Sequence, residues 1–449
     1  MKMIKNFSSL ASSPLRKQAL SLIEAAFQAL EVEKVIKERV FLNRERQALA
    51  FSSVSGKEVE LDLTKIGKIY LIGFGKGSLL AIASLKKTLS SLGEKIAQAI
   101  ALDKERTLPL SQIRKLKIKF FQGSHPHPSL KNIRAAGFIL KTLNQLKKDD
   151  LVIYFIGGGG SALLCASQEE LRFSRLVFER LTKKGASIKE INTARKHLSL
   201  VKGGFLARYT YPATSVSLIV SDVCGNDFSI IASGPTVLDK TTKKDALRIL
   251  KKYFSSEEIK KFSLASALKE TPKNKKYFSK VKNLLLACNQ DGILAMKEKA
   301  QSLGLKAKII SLTYQNEARK TFLSFLKKIK KGEVFLLAGE TTVKIEGKGK
   351  GGRNQEAVLG AIAWAYQKKF DFHNLLVASF SSDGWDNTPV AGALADEKTL
   401  QLVFQRKINP FLFLKNNDSF HFFKKVGGHL KVRRQSFNVA DLMMIIKGK

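Results

Sequence analysis

Apolar residues along this chain come in short runs, each ending on small or polar residues, and the segments between many of the runs carry helical spacing. Residues 69–72 lead into Gly73-Phe74-Gly75-Lys76-Gly77, 151–156 into Gly157-Gly158-Gly159-Gly160-Ser161, and 215–220 into Ser221-Asp222-Val223. Further on, 284–287 lead into Cys288-Asn289, 334–338 into Gly339-Glu340-Thr341-Thr342, and 375–379 towards Ser381-Ser382-Asp383-Gly384. Helices are predicted over 78–92 and 290–303, and an amphipathic helix over 15–39, capped by Ser13 with Pro14 in its first turn. This alternation predicts parallel or mostly parallel sheets with helices packed on them. In such sheets ligands bind beyond the carboxyl ends of the strands. Gly, Ser, Asp, Glu and Lys concentrate at those ends here, which is the first reason to read an enzyme.

Composition sets the bounds. With 449 residues, 44% of them hydrophobic, the chain can build the cores of two domains. The boundary is expected near the lysine-rich 271–276 segment, giving domains 1–272 and 273–449. No apolar run approaches the length of a membrane helix, and the start, with Lys2 and Lys5, lacks the apolar core of a signal peptide. Cys165, Cys224 and Cys288 follow no C-x-x-C spacing, so neither a zinc site nor a disulfide framework is expected and a cytoplasmic location fits. The charge is unusual: 78 Lys and Arg against 38 Asp and Glu, a net +40. A nucleic-acid binder would concentrate such charge. Here the lysines are spread along the chain, so the excess reads as a general attraction for anions, with no nucleic acid and no membrane as partner.

Five constellations carry candidate chemistry. Gly157, Gly158, Gly159, Gly160 and Ser161 follow an apolar strand, and glycines there let main-chain N–H groups approach a phosphate closely. Lys76, in a second glycine turn, could neutralise a phosphoryl group in transfer. Asp222 and Asp227 stand after a third strand, where carboxylates bind Mg²⁺ or take a proton from a hydroxyl. A glycine-rich stretch from Gly347 to Gly352, read as a flexible loop, ends in Arg353-Asn354-Gln355-Glu356 at a helix start, and arginine grips phosphate or carboxylate with a planar fork. Asp383 ends a further strand. His125-Pro126-His127-Pro128 reads as a rigid loop near substrate, with no third metal ligand evident.

In this order the clusters resemble the type II glycerate kinases, the family whose C-terminal domain carries the MOFRL signature. The match also takes in Asn192, Arg195-Lys196-His197, Lys202-Gly203-Gly204, Ala232-Ser233-Gly234-Pro235-Thr236 and Asn416-Asn417-Asp418-Ser419. It implies two α/β domains: an N-terminal Rossmann-like domain with a mostly parallel sheet and a smaller C-terminal MOFRL-type domain, the active site lying in the cleft between them. It further implies transfer of the γ-phosphoryl of ATP to glycerate with Mg²⁺, usually giving 2-phosphoglycerate. Lys76 and Arg353 match the family's charge-neutralising pair. Asp222 joins them as a catalytic candidate, with Asp222 and Asp383 as Mg²⁺ candidates and Asp383 beside the glycine tract at the nucleotide. His125, Arg195, Lys202 and Glu340 are the substrate-binding candidates, and a monomer or homodimer is expected. Near the C-terminus, Arg433-Arg434-Gln435-Ser436-Phe437 replaces the family's Gly/Thr portion, while the core Asn438-Val439-Ala440-Asp441-Leu442 keeps its pattern. Two other readings stand beside the kinase. One is a hydroxypyruvate reductase, against which stands the lack of a clean G-x-G-x-x-G with a downstream acid. The other is an anion- or nucleic-acid-binding protein.

Overall fold

The structure, a computed structural model, describes residues 2–449. It divides into two compact units, one formed by residues 35–286 and the other by 2–34 together with 287–449.

The 35–286 unit opens with a small antiparallel sheet of β1 (Val40–Asn43), β2 (Ala48–Ser52) and β3 (Glu58–Asp62). Its main sheet has six strands: β4 (Ile69–Phe74), β5 (Ile96–Asp103), β6 (Lys119–Gln122), β7 (Leu151–Ile156), β8 (Thr214–Val220) and β9 (Val281–Ala287). Their order is β6-β5-β4-β7-β8-β9, and the pairings from β6 to β8 are all parallel. Counted along this sheet the order is 3-2-1-4-5-6, that of a doubly wound dinucleotide-binding fold. Every residue of β7 is buried, as a strand covered on both faces must be. Helices Gln168–Lys183, Ile188–His197 and Lys243–Tyr253 form a second apolar cluster of this unit.

The other unit carries β10 (Lys306–Tyr314), β11 (Glu333–Gly339), β12 (Leu375–Ser381), β13 (Gly392–Asp396), β14 (His429–Leu430) and β15 (Asp441–Lys447) in the order β10-β11-β15-β12-β13-β14. Only the β10–β11 pair is parallel, and the other four are antiparallel. The second sheet is therefore mixed, where the repeated strand–helix pattern predicted mostly parallel pairing. Two strands account for it: β15, from near the chain end, inserts antiparallel between β11 and β12, and β13 runs antiparallel to both β12 and β14.

The 15–39 helix is also different. It runs as Pro14–Ala29, with Ser13 accepting from Arg16 N at 3.2 Å as expected, then stops and restarts as Val32–Arg39. Between the two pieces Val32 N–H donates to Gln435 C=O (2.9 Å) and Phe437 N–H to Leu30 C=O (2.9 Å), so pairing with distant chain overrides local helical spacing. The expected boundary at 272/273 moves for a related reason. Thr271 is buried and donates to Asp239 (3.3 Å), Lys273 Nζ donates to Asp239 C=O (2.9 Å), and β9 then completes the parallel sheet. The segment is thus part of the unit, not a linker. At the other end the first residues are woven into the second unit: Met3 and Ile4 N–H donate to the buried Glu24 carboxylate at 2.5 and 2.9 Å, and Pro14–Ala29 packs on Asn289–Ser302. Among the described residues no helix is long and apolar enough to cross a membrane.

One ion pair fastens this N-terminal segment. Arg16 Nε and Nη2 donate to Asp396 Oδ2 and Oδ1, both at 2.7 Å, and Asp396 also caps helix Glu397–Gln405 through Thr399 N. Burial works against the Asp396 charge, but the Arg16 contacts outweigh it and hold its pKa below the usual carboxylate value. Arg16→Met should lower stability in urea unfolding by about 3–5 kcal/mol, since it strands a buried carboxylate. A double change of Arg16→Met with Asp396→Leu should lose less than the single one.

Candidate active site

At the carboxyl edge of the parallel sheet, β4 and β7 are neighbours in register, Phe74 opposite Ile156. The strand order reverses here, at the topological switch point where doubly wound sheets place their ligands. The turns that follow the two strands emerge side by side. A Cβ on Gly75 would lie 2.4 Å from Gly157 O, and one on Gly157 would lie 2.6 Å from Lys76 O. Lys76 N–H donates to Gly158 C=O at 2.9 Å. Gly159 has φ +76°, and a Cβ there would lie 2.9 Å from the His125 ring. A Cβ on Gly160 would lie 2.7 Å from Ala232 Cβ. Three of the four glycines of the tract therefore answer demands of packing, and a phosphate is not needed to explain the run by itself.

What surrounds the two turns is cationic. Lys76 is half-buried on its turn. The His125 pKa is lowered to about 4, first by partial burial and then by the charges of Lys76, Lys104, Arg195 and His127. Its ring is thus neutral at physiological pH. Arg195, in the last turn of Ile188–His197, lies over the Phe178 ring at 4.1 Å, and burial lowers its pKa to about 10, which leaves it charged. That helix end is pinned by Lys196 on the buried Asp239 (3.3 Å) and by His197 on Lys269 C=O (2.8 Å).

Beside the glycine tract, Ala232, Ser233 and Gly234 occupy left-handed backbone in succession, with φ of 49°, 60° and 61°. For two non-glycine residues this is strained, about 1–3 kcal/mol each. Gly203 and Gly204 N–H hold the turn by donating to Ser233 and Gly234 C=O, each at 2.9 Å. Ser233 Oγ donates to Asn192 Oδ1 (2.8 Å), so its contact with Ser161 Oγ (2.8 Å) has Ser161 as donor. The lone pairs of Ser161 Oγ are thereby left to accept. Asn192 and Ser233 were legible only as members of the motif strings, with nothing to mark them as site residues.

The remaining candidates of this unit fall differently. Asp222 stands half-buried two residues past β8. Lys202 is buried, ion-paired with the buried Glu170 and donating to Leu164 C=O (2.9 Å). It braces the main chain after the glycine tract and does not present its ammonium to a ligand. Asp103, at the end of β5, holds the position where dinucleotide folds keep their ribose-binding acid. Its carboxylate is 2% exposed and accepts from Leu79 N (3.2 Å) and Lys104 N (2.8 Å). Burial raises its pKa to about 6. It caps helix Ser78–Thr88, whose N-cap Gly77 has no side chain to do so.

In the other unit, helix Arg353–Lys368 begins in a buried polar network that uses all four residues of Arg353-Asn354-Gln355-Glu356. Arg353 Nε meets Asp441 Oδ2 at 2.6 Å and its Nη1 meets Glu340 Oε1 at 2.5 Å. Asn354 Nδ2 donates to Asp441 (2.9 Å) and Asp386 (3.1 Å), while its Oδ1 accepts from Ser379 (2.6 Å). Gln355 Nε2 donates to Asp386 (3.0 Å) and Thr388 (2.9 Å), and Glu356 accepts from Arg319 at 3.0 and 2.8 Å. Asp386 also accepts the N–H groups of Asn354 (3.1 Å) and Gln355 (2.9 Å), capping the helix from a distant loop. Burial pushes Asp441 up to about 7 against the pull of Arg353 and Asn354, with Asp386 adding to the rise. The Arg353 pKa is raised by Asp441 and Glu340 although burial opposes it.

The glycine stretch before this helix, read from sequence as a flexible loop, is tied by hydrogen bonds to residues 416–418. Glu346 and Gly347 N–H donate to Asn417 Oδ1 (2.7 and 2.9 Å), Gly349 N–H to Asn416 C=O (2.8 Å) and Lys350 N–H to Asp418 Oδ1 (2.9 Å). A Cβ on Gly347 would lie 2.4 Å from Asn416 Cα, so close approach is what these glycines serve. Loop and helix start line a cavity of about 380 Å³ with Trp385, Asn387 and Asp441. Asp383 Oδ1 accepts from Ser381 Oγ and Trp385 N, both at 3.0 Å, as a turn cap. Besides Glu340, the acids that hold this helix start are Asp441, on Arg353 and Asn354, and Asp386, on Asn354 and Gln355; neither stands out as a site residue in the sequence, and the surviving Asn438-Val439-Ala440-Asp441-Leu442 string was the available signal for Asp441. Among the described residues no three His, Cys, Asp or Glu side chains gather into a metal-holding group.

Residues 18–268 match the model of a domain of unknown function, DUF4147, and residues 333–441 match the MOFRL family. The chain is 35% identical to the glycerate 2-kinase of Pyrococcus horikoshii over 96% of its own length and 97% of that protein's. It is 34% identical to a putative hydroxypyruvate reductase of Agrobacterium vitis over 74% and 78% of the two chains. It is also similar to the crystal structure of a glycerate kinase from Thermotoga maritima, with a TM-score of 0.78 and 30% identity over 96% of this chain and 99% of that one. By both regions and along nearly its whole length, the chain belongs to the DUF4147/MOFRL family of glycerate kinases.

Proposed function

We propose that the protein transfers the γ-phosphoryl of ATP to a hydroxyl of glycerate, giving 2-phosphoglycerate and ADP. The observation that carries this reading is the switch point between β4 and β7, where two interlocked glycine turns hold Lys76 among other cations. Phosphoryl transfer asks for positioning and charge neutralisation more than covalent help. In the 35–286 unit Lys76 and Arg195 supply positive charge for phosphates and His125 a neutral hydrogen-bonding ring; in the other unit Arg353 carries a planar fork suited to a carboxylate such as that of glycerate.

Mg²⁺, when bound with ATP, neutralises phosphate charge. It is commonly held by one or two carboxylates with substrate phosphates, so a protein-only cage is not required. The Asp222 carboxylate and the accepting Ser161 Oγ are hard oxygen donors of the right kind, after β8 and β7 respectively. Asp383 is less suited, because one of its oxygens already accepts two hydrogen bonds.

The reductase reading has a relative of that name in its favour and one structural feature against it. NAD sites of this fold use the acid after the second strand for the ribose 2′-hydroxyl. Here Asp103 is buried and committed to the helix that would face the pyrophosphate. The deciding experiment is a coupled ADP-release assay on a panel of short hydroxy acids, with the product located by phosphorus NMR, run beside NADH oxidation with hydroxypyruvate. NADH oxidation without ADP release would reject the kinase.

Lys76→Ala should lower kcat/KM by about 10²–10³, the usual loss for one preorganised charge-stabilising group, with an unchanged circular dichroism spectrum. Near-normal turnover would take Lys76 off the catalytic list. The pH profile separates two other residues. His125, with a pKa of about 4, stays neutral across the working range. Asp441, at about 7, gains a proton as pH falls through neutrality and loosens its hold on Arg353. The expected profile of kcat/KM for glycerate therefore declines on the acid side of neutrality. His125→Gln should keep that limb and Asp441→Asn should flatten it; a limb that persists in Asp441→Asn belongs to another group.

A further inference from the structure

Arg353 is held by two carboxylates in unlike surroundings. Asp441 has 1% side-chain exposure and belongs to β15, where Asn354 also donates to it. Glu340, immediately after β11, has 52% side-chain exposure. The Nε side of the guanidinium is thus fixed by a buried partner, which also accepts from Nη2 at 3.3 Å, and Nη1 by one that already faces water. The planar fork presents two parallel N–H groups to a carboxylate along its Nη1–Nη2 edge, and Glu340 occupies half of that edge. Arg353 also lines the cavity of about 380 Å³, large enough for a small organic acid.

Charge counting limits how such an acid could enter. On the one guanidinium stand two carboxyl groups, those of Glu340 and Asp441. A ligand carboxylate added to both would meet a surplus of like charge, whereas one that replaced Glu340 would leave the count unchanged. Asp441 cannot yield, because burial gives its charge nowhere to go. Glu340 can, because its released carboxylate returns to solvent.

We propose that this cavity takes a small carboxylate ligand onto Arg353 and that Glu340 is the internal carboxylate it displaces. Glu340 is then a competitor that sets how tightly the acceptor acid binds, not a group that grips the substrate. The inference rests on the kinase reading where it names glycerate as the natural ligand; the exchange itself needs no nucleotide.

Trp385 lines the same cavity and is 41% exposed, while the chain's other tryptophan, Trp364, packs on the core. Lactate is titrated into the full-length protein without nucleotide, by calorimetry and by tryptophan fluorescence, with Trp385→Phe identifying the signal. Glu340→Gln should bind lactate about two- to fivefold more tightly than the wild type, the worth of a half-exposed ion pair, and Arg353→Gln should abolish binding. Glu340→Ala checks the same direction should the amide find a new partner. Equal or weaker lactate binding in both Glu340 variants, or no binding to the wild type, overturns the proposal. If lactate binding tightens but glycerate is never phosphorylated, the kinase reading fails and the exchange stands. If glycerate is phosphorylated and binding does not tighten, the exchange fails alone.

Discussion

The catalytic edge of the parallel sheet depends on two main chains in contact. β4 and β7 end at the same level, so their turns must share one space, and Gly75 and Gly157 are the residues that let them. A side chain on either would force the turns apart and break the bond from Lys76 N–H to Gly158 C=O. Lys76 would then lose the position that makes its charge useful. The strained turn at Ala232 and Ser233 presses on the far side of the same tract. Its cost is carried by hydrogen bonds from Gly203 and Gly204, so the glycine turns are set from both flanks.

The strands that read most clearly from sequence were those buried on both faces. The run 151–156 is β7 to the residue, and 215–220 and 375–379 differ from β8 and β12 by one or two positions. What was not legible depended on distant partners. β15 is wholly apolar from Leu442 to Ile446, but nothing local says that it returns between β11 and β12 and turns a parallel expectation into a mixed sheet. The same holds for the helix Pro14–Ala29, whose pattern is plain and whose partners, such as Asn289–Ser302 and Asp396, lie more than 250 residues further on. Lys202 was a substrate-binding candidate only through its place in a motif string, while its burial beside Glu170 is a property of the fold.

The motif Arg353-Asn354-Gln355-Glu356 shows why a short polar string can be more informative than its length suggests. Four consecutive residues on one helical turn point in four directions, and each meets a partner from a different segment: Glu340 and Asp441, Ser379, Thr388 with Asp386, and Arg319. No single position could change without orphaning a buried polar group. The network also explains why Asp386 and Asp441 were missed. Their neighbours in sequence are turn-forming or apolar, and their role is visible only where the helix start meets them.

Both units place a carboxylate of the chain itself where an anionic ligand could sit, and burial decides whether that carboxylate can ever leave. Asp103 lies across the N-terminal end of the first helix of the parallel sheet with 2% exposure. Releasing it would leave a buried acid without partners and a helix without a cap, so this carboxylate stays where it is. Glu340 lies on the Arg353 fork with 52% side-chain exposure. Releasing it returns a charge to water and leaves Asp441 in place to hold the arginine. The same chemical device therefore has opposite consequences: one carboxylate is a permanent part of the helix start, and the other keeps a site charge-balanced until a ligand of its own kind arrives.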